Sequence, residues 1–340
     1  MGTGRCIIST RCGHMAGVTI IGAGVAGLWA AYALSLRGIT PRLIDRAGAP
    51  AAHGCSWWAG GMLAPFCEGA TSEPAVIAHG QRAAADWAEI TDVYNTGTLV
   101  VTLARDRADL DLFAQRTEGH RRLTGAELAA LEPDLSQTGR EALFFATEAH
   151  LSPRRALADL TAALAARGIT VEQVEVTPQD IAGTVLDCRG FAAATTLSGL
   201  RGVRGEMVML HSAEVTLSRP VRLLHPRHPL YIVPRGDGVF MLGATQIESE
   251  QRGPVTARAL LELLSAAYAL HPAFAEAQVI ETGADLRPAF ADHVPRVVQQ
   301  GRVLHLNGLF RHGYLMAPAL ARQAADFLDT GLKGDLFHAD

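Results

Sequence analysis

The sequence predicts an α/β fold in which helices cover a parallel sheet and a second, antiparallel sheet is inserted. Three observations predict it. Near the N terminus a short apolar run is followed by closely spaced glycines, a helical pattern and a second apolar run, as in a β-α-β unit. Residues 230–249 form two strand-like runs joined by Gly-Asp-Gly. Residues 303–328 form a strand-like run, a glycine-bearing loop and a terminal helical pattern.

The size and composition are those of a globular protein with about two domains. The chain has 340 residues, and a domain typically has roughly 150. A formal net charge of −4 without a long basic run argues against nucleic acid or an anionic membrane as a partner. No apolar stretch approaches the roughly 20 residues of a membrane-spanning helix.

The five cysteines are scattered and form no CxxC pair, so the sequence predicts neither a metal site nor a disulfide framework. Such cysteine usage is typical of a reducing cytosol, which predicts a cytoplasmic location. Residues 1–15 lack the apolar run of a signal peptide and are expected to form a disordered tail. The sequence leaves open whether the natural start is Met1 or Met15.

The first β-α-β unit carries the glycine pattern of a dinucleotide site. Residues 18–21 are predicted to form a buried strand, and a helix is predicted over residues 25–36. Gly22 allows the tight turn between them, Gly24 lets a pyrophosphate approach the backbone, and Gly27 lets the helix pack close to the sheet. The helix N terminus adds unpaired N–H groups and a positive dipole end, which favour phosphate binding.

The end of the second strand narrows the choice of dinucleotide. Gly38 ends the predicted helix, and residues 41–45 form a strand that finishes at Asp45. A carboxylate there accepts a hydrogen bond from a ribose hydroxyl and would repel the 2′-phosphate of NADP. NAD and FAD therefore both fit this unit. The alternative is a tightly packed β-α-β turn that binds no nucleotide.

The stretch GCSWWAGGMLAP, residues 54–65, resembles the small-residue loop of the D-amino acid oxidase family, and is most similar to that of the glycine oxidases of thiamine biosynthesis. The resemblance implies FAD, with Cys55 and Ser56 near the phosphates and Gly60, Gly61 and Met62 at the flavin. The adjacent Trp57 and Trp58 are expected to pack in the core around the cofactor. Further segments match the same family over residues 151–171, 230–249, 283–297 and 303–328.

The resemblance implies a Rossmann-like FAD-binding domain of the glutathione reductase type with an inserted antiparallel-sheet substrate domain. The FAD-binding domain is expected to be discontinuous, over residues 16–69, 140–205 and 276–330. The substrate domain is expected over residues 70–139 and 206–275. The main departure from the family is the shortened stretch 174–193, where the adenine-side contact is expected to persist near Val176.

The C-terminal loop is implied to contact the flavin. Gly308 and Gly313 flank it, and the helix is expected to begin near Ala317 and Pro318, since proline favours the first turn of a helix. The helix N terminus would point at the pyrimidine edge of the ring. The implied FAD contacts are Gly22, Gly24, Val25, Ala26, Gly27, Asp45, Arg46, Cys55, Ser56, Gly60, Gly61, Met62, Val176, Phe310, Arg311, His312, Gly313, Tyr314 and Leu315.

Three residues stand at substrate positions of the family, and they are the candidate catalytic residues. Arg287 is expected to clamp the substrate carboxylate, because an arginine fork donates paired charge-assisted hydrogen bonds. Arg311 is expected either to assist it or to position the loop, and Tyr231 to line the pocket. The role of His312 stays open, since the family loop commonly has asparagine there. No cysteine lies beyond Cys188, so the FAD is expected to be non-covalent.

The activity implied is oxidation of glycine to iminoglycine and glyoxylate, by hydride transfer to flavin N5 and reoxidation by oxygen to hydrogen peroxide. Such an enzyme would supply the thiazole of thiamine, with thiazole synthase as a candidate partner, and relatives are often homo-oligomers. The alternatives are a D-amino acid, sarcosine or proline oxidase or dehydrogenase, and a flavoprotein that binds FAD without oxidising an amine. A nicotinamide dehydrogenase would leave the loop at 54–65 and the C-terminal loop unexplained.

Overall fold

The structure is a computed structural model and describes residues 17–103, 106–138, 141–225 and 229–338. The tail predicted over residues 1–15, with both candidate start methionines, lies outside the described residues. Within the described residues no helix is long and apolar enough to cross a membrane.

The strands are β1 (Val18–Ile21), β2 (Arg42–Asp45), β3 (Met62–Leu63), β4 (Thr98–Thr102), β5 (Arg121–Leu123), β6 (Ala142–Phe145), β7 (Ala149–His150), β8 (Val171–Gln173), β9 (Thr184–Asp187), β10 (Arg201–His211), β11 (Val221–Leu224), β12 (Leu230–Pro234), β13 (Val239–Gly243), β14 (Ile247–Glu248), β15 (Gln278–Ala289), β16 (Arg296–Gln300), β17 (Val303–Asn307) and β18 (Phe337–His338). The helices are α1 (Val25–Ser35), α2 (Pro65–Glu68), α3 (Pro74–Gly80), α4 (Ala83–Ala88), α5 (Arg107–Arg116), α6 (Gly125–Leu131), α7 (Pro153–Ala165), α8 (Ala257–Leu270) and α9 (Gly313–Thr330).

The first sheet is largely parallel and has the strand order β18-β16-β17-β9-β1-β2-β8. Strand β1 lies between β2 and β9 and is parallel to both. Its four residues are all buried, as expected of an apolar strand inside a parallel sheet. Helices α7 and α9 pack against α1 over this sheet, so the predicted α/β fold is confirmed.

Helix α1 begins and ends where the glycine pattern predicts. It starts directly after Gly24, and Gly38 lies beyond its end with a left-handed φ of +74°. The helix can approach the sheet only because Gly27 lacks a side chain. A Cβ on Gly27 would lie 1.8 Å from the carbonyl oxygen of Gly22. The predicted packing role of Gly27 is therefore visible in the structure.

The second sheet follows the strand order β14-β10-β13-β12-β11-β4-β6-β5, with β15 on the other side of β10. The hairpin β12–β13 turns through Gly236, Asp237 and Gly238, which all have positive φ. The sheet was predicted to be antiparallel, but β4 and β11 pair in parallel. These two strands lie far apart in the sequence, so no hairpin forces them into an antiparallel pair.

Membership of the second sheet does not follow the predicted domain ranges at every point. Strands β6 and β15 pair in this sheet, although both fall within ranges that the sequence assigned to the FAD-binding domain. The domain boundaries themselves stay a prediction.

Helix α9 begins four residues earlier than predicted. It starts at Gly313, and Pro318 lies inside the helix instead of in its first turn. Proline has no N–H and cannot donate to the carbonyl one turn earlier, which is that of Tyr314. The indole N–H of Trp87 donates to that carbonyl instead, at 2.8 Å. The buried tryptophan thus compensates for the hydrogen bond that the proline removes.

Candidate active site

One cavity of about 900 Å³ runs between the two sheets. It begins at the N terminus of α1 and the end of β2, and it reaches the second sheet at Tyr231 and Arg287. Apart from Gly27, every candidate site residue from the sequence lines this cavity. Segments far apart in the chain therefore meet at a single site.

At one end of the cavity, the turn into α1 presents backbone N–H groups. Gly22 has φ +105°, and a Cβ there would lie 2.5 Å from the carbonyl oxygen of Cys188. The backbone N–H of Val25, in the first turn of the helix, donates to the hydroxyl of Ser56 at 3.1 Å. This meeting of the 54–65 loop with a helix N terminus provides donors suited to a phosphate.

Asp45 lies beside this turn. Its Oδ2 accepts from the backbone N–H of Ala23 at 2.9 Å, and its Oδ1 accepts from that of Ala47 at 2.8 Å. A carboxylate oxygen can accept more than one hydrogen bond, so both oxygens can still accept from a ribose hydroxyl. Arg46 and Val176 line the cavity near this end.

The shortened stretch 174–193 ends in an ion pair instead of a small-residue turn. Arg189 donates to both carboxylate oxygens of Asp187 at 2.8 Å. Burial acts to raise the pKa of Asp187, but hydrogen bonds from Arg189 and His305 outweigh it and hold the pKa at about 2. The ion pair between Arg189 and Asp187 therefore fixes the turn that follows β9, which lies next to Gly22.

The loop before β3 passes between the two sheets. A Cβ on Gly60 would lie 2.7 Å from Cε2 of Tyr231, and one on Gly61 would lie 2.4 Å from the carbonyl oxygen of Leu151. Gly61 also has φ +69°. Glycine is required at both positions because neither the ring nor the backbone leaves room for a side chain.

The two tryptophans of this loop are half-buried and line the cavity, and their packing around the cofactor stays a prediction. Trp57 packs against the edge of the main core. The Arg154 guanidinium lies over both rings, 4.7 Å from the centre of Trp57 and 5.4 Å from that of Trp58. Cation–π attraction to Arg154 therefore helps to hold both rings in place.

Arg287 projects into the cavity from β15. One N–H of its Nη2 donates to the Thr245 carbonyl, its Nε is buried without a hydrogen-bond partner, and its guanidinium lies 5.4 Å from the ring centre of Phe310. Burial lowers the pKa of Arg287. No described carboxylate lies within ion-pair distance of it. The arrangement leaves a fixed guanidinium with N–H groups free for an anionic ligand.

Arg311, by contrast, has a carboxylate partner. Its Nη2 lies 2.6 Å from Oε2 of Glu68, and Arg222 from β11 approaches the other oxygen, Oε1, at 3.5 Å. Burial acts to raise the pKa of Glu68, but Arg311, His312 and Arg222 outweigh it and hold the pKa at about 2. One carboxylate therefore stays ionised and shares its charge with two arginines.

His312 adjoins this group and precedes helix α9. Its side chain is buried, with Nδ1 3.8 Å from Oε2 of Glu68 and Nε2 3.3 Å from the Ser72 hydroxyl. Burial lowers the pKa of His312 to about 4, with only partial opposition from Glu68. The imidazole is therefore neutral at pH 7 and contributes hydrogen bonds without a charge.

Tyr231 lies with its ring against two backbones. A Cβ on Gly243 would lie 2.6 Å from its hydroxyl oxygen, and Gly60 meets the ring as described above. Among the described residues its hydroxyl has no hydrogen-bond partner, and burial raises its pKa. A neutral phenol therefore faces the cavity beside Arg287.

Three functional candidates escaped the sequence analysis. Glu68 lies just beyond the matched loop, Arg235 just beyond Tyr231 in the hairpin β12–β13, and Arg222 in no motif. The signal for Glu68 was an acidic residue in a stretch otherwise apolar and glycine-rich. Arg222 gave no signal, because only the folded sheet brings it to the cavity.

Comparison with known proteins assigns the chain to a family. The family model described as DAO, FAD dependent oxidoreductase, matches residues 17–327. The chain belongs to this family. It is therefore an FAD-dependent oxidoreductase, and the choice between NAD and FAD that the first motif left open is decided for FAD.

Individual relatives agree with the family. The chain is 54% identical over 317 residues to a Rhizobium etli protein named "Putative thiamine biosynthesis oxidoreductase ThiO", with 92% of this chain and 96% of that protein covered. It is 26% identical over 355 residues to a glycine oxidase of Pseudomonas aeruginosa, with 92% and 94% covered. The crystal structure of glycine oxidase from Geobacillus kaustophilus has a TM-score of 0.78 at 23% identity over 94% of this chain and 96% of that one. The last comparison shows a shared fold.

The residues around the cavity fit FAD. At one end are a helix N terminus and an acid placed for a ribose, and a side chain at Gly22 or Gly27 would collide with the backbone that forms this turn. At the other end, the N–H groups of Gly60 and Gly61 have no hydrogen-bond partner among the described residues. A long cofactor with phosphates, a ribose and a flat heterocycle uses all of these features.

Proposed function

We propose that the protein oxidises glycine with bound FAD, releases the imine for hydrolysis to glyoxylate, and uses oxygen as electron acceptor with hydrogen peroxide as product. Bound FAD supplies the ring that accepts two electrons and a hydrogen from the amine carbon. The protein's contribution is to bind and orient a small amino acid against that ring.

One observation carries the proposal. Arg287 presents a fixed guanidinium without a carboxylate partner among the described residues, whereas Arg311 and Arg222 already share Glu68 as their partner. A substrate with one carboxylate would complete the pair with Arg287 through charge-assisted hydrogen bonds. We therefore assign Arg287 as the clamp and Arg311 as a positioning residue that holds the C-terminal loop through Glu68.

Two further residues shape the substrate end. Tyr231 offers a neutral hydroxyl beside the clamp, and its ring closes the cavity against Gly60 and Gly243. Phe310 lies under the Arg287 guanidinium and limits its movement. The proposal assigns no general base at the amine carbon, since orientation against the ring suffices for transfer of the hydrogen.

We further propose that the imine is used for the thiazole of thiamine, with thiazole synthase as the receiving partner. The thiamine-biosynthesis name of the relative with 54% identity supports this role. FAD is proposed to be bound without a covalent link, because the chain has no cysteine in its C-terminal loop.

Steady-state assays of the purified holoenzyme test the proposal. Glycine, sarcosine, D-alanine and D-proline are offered separately in air, and oxygen uptake, peroxide and the oxo acid are measured. The highest kcat/KM with glycine, with peroxide formed, supports the proposal. Turnover of the larger amines alone would replace it with a D-amino acid or sarcosine oxidase. Turnover with an artificial dye but not with oxygen would make the enzyme a dehydrogenase.

A further inference from the structure

Arg235 binds the backbone of the loop at residues 54–65, and its own side chain lies outside the cavity that this loop lines. Arg235 directly follows β12. Its Nη2 donates to the carbonyl oxygen of Gly60 at 2.7 Å and approaches that of Ala59 at 3.4 Å, and its Nη1 donates to that of Leu151 at 3.2 Å. Among the described residues, the hydrogen bonds of its guanidinium therefore go to backbone carbonyls, and two of these belong to residues that line the FAD cavity.

These bonds fix the direction of the loop amides. In a trans peptide, the C=O of one residue and the N–H of the next point to opposite sides, and no described peptide bond is cis. The carbonyls of Ala59 and Gly60 face Arg235, so the N–H groups of Gly60 and Gly61 point away from it. Both glycines line the cavity, and neither N–H has a partner among the described residues.

The carbonyl of Gly61 is fixed as well. It accepts from the backbone N–H of Leu151 at 2.9 Å, the residue whose own carbonyl binds Arg235. Three consecutive carbonyls are thus engaged by Arg235 and Leu151, neither of which lines the cavity. The conformation requires the left-handed φ of Gly61, which a larger residue would adopt only with strain.

Arg235 also brings a positive charge close to the cavity. No described carboxylate pairs with it, and burial lowers its pKa to about 10. The titratable groups that face it are Tyr231, Tyr314, Tyr94, Arg154 and His150. None of these supplies a negative charge at pH 7, so the charge of Arg235 acts on whatever lies against the loop.

We propose that Arg235 is a positioning residue for the flavin: by holding the carbonyls of Ala59 and Gly60 away from the cavity, it aims two N–H groups at the ring, and its charge favours the reduced ring. Reduction adds electron density to the heterocycle, and donors and a nearby cation stabilise that density in a site of low dielectric. The inference rests on FAD dependence and does not depend on which amine is oxidised.

Three variants and a control test this role, with measurements that involve no substrate. Arg235→Lys keeps a cation and donors, Arg235→Gln keeps a donor without the charge, and Arg235→Met keeps neither. Arg302→Met is the matched control, since Arg302 also binds two backbone carbonyls, those of Gly183 and Pro178, and neither it nor these two residues line the cavity. The measurements are the Kd of the apoprotein for FAD, the visible spectrum of bound FAD and its midpoint potential.

The expected result for Arg235→Met is an FAD Kd at least tenfold higher and a flavin at least tenfold harder to reduce, which for a two-electron couple is about 30 mV more negative. Arg235→Gln should fall between Met and Lys, and Lys should restore most of the potential. Arg302→Met should change none of the three measurements.

An Arg235→Met protein that binds FAD with unchanged Kd, spectrum and potential would overturn the proposal. If that variant does not fold, Lys and Gln decide: equal potentials in the two would overturn it, and a more negative potential in Gln supports it. Failure of glycine to reduce wild-type FAD would remove the proposed function but leave these measurements intact.

Discussion

Replacement of Arg287 by methionine should remove the carboxylate clamp and leave the FAD site in place. Methionine keeps much of the side-chain length but has neither charge nor N–H groups. In the wild type, Thr245 fixes one N–H of the guanidinium, and the Nε is buried without a partner. The fork is therefore held in place before any ligand arrives, and little ordering is needed when a carboxylate binds.

The size of the effect follows from the hydrogen bonds that a carboxylate would accept. Two bonds to a charged donor contribute about 1.5–3 kcal/mol each, so their loss amounts to about 3–6 kcal/mol. Since about 1.4 kcal/mol corresponds to a factor of ten, kcat/KM for glycine should fall by two to four powers of ten in Arg287→Met.

The assay compares glycine with glycine ethyl ester, which has no carboxylate. Arg287→Met should lower kcat/KM for glycine strongly and that for the ester little, with FAD content unchanged. Arg302→Met, which removes an arginine that does not line the cavity, should leave both substrates unaffected. An equal loss for glycine and its ester in Arg287→Met would refute the assignment of Arg287 as the carboxylate clamp.

Three other outcomes are expected. Glu68→Gln leaves two partly buried arginines without their counter-charge and should cost about 3 kcal/mol in urea unfolding; a change no larger than that of Glu172→Gln, in an exposed pair, would contradict this. Burial raises the pKa of the Glu148 carboxyl from its ordinary value of 4.5 to about 8. The protonated carboxyl therefore makes its full contribution to stability below pH 4.5, and this contribution is lost as the pH rises towards 8. Glu148→Gln should therefore gain stability over the wild type between pH 5 and 8, and a pH-independent difference would exclude the effect. Gly22→Ala should destabilise by more than about 1 kcal/mol and weaken FAD binding; Gly38→Ala, which has open space around it, should lose only stability.

The nucleotide end was predictable because its signals are local. The strand, the glycines, the helix and Asp45 lie within one β-α-β unit, and each has a mechanical reason to be there. The hairpin at Gly236 to Gly238 was equally readable, since its turn requires positive φ at consecutive residues. These elements formed where the sequence placed them.

The charge arrangement of the site was not predictable, because it depends on long-range contacts. Glu68, Arg222 and Arg311 come from three distant segments, and only the folded sheets bring them together. The resemblance favoured Arg287 as the clamp, but nothing in the sequence showed that Arg311 pairs with Glu68 while Arg287 has no described carboxylate partner. The structure shows that their electrostatic surroundings differ.

The two structural corrections have a common origin. The rule that proline favours the first helical turn placed the start of α9 near Pro318, but the Trp87 indole satisfies the carbonyl that the proline leaves free. The parallel pairing of β4 with β11 likewise follows from tertiary packing. In both cases a distant segment overrides a local preference.

Anaerobic mixing of the FAD-loaded protein with glycine tests the central claim most directly. The account predicts that the visible absorbance of the flavin bleaches in a single turnover, and that it returns when air is admitted as peroxide forms. Bound FAD that glycine leaves fully oxidised, under conditions in which dithionite reduces it, would contradict the account.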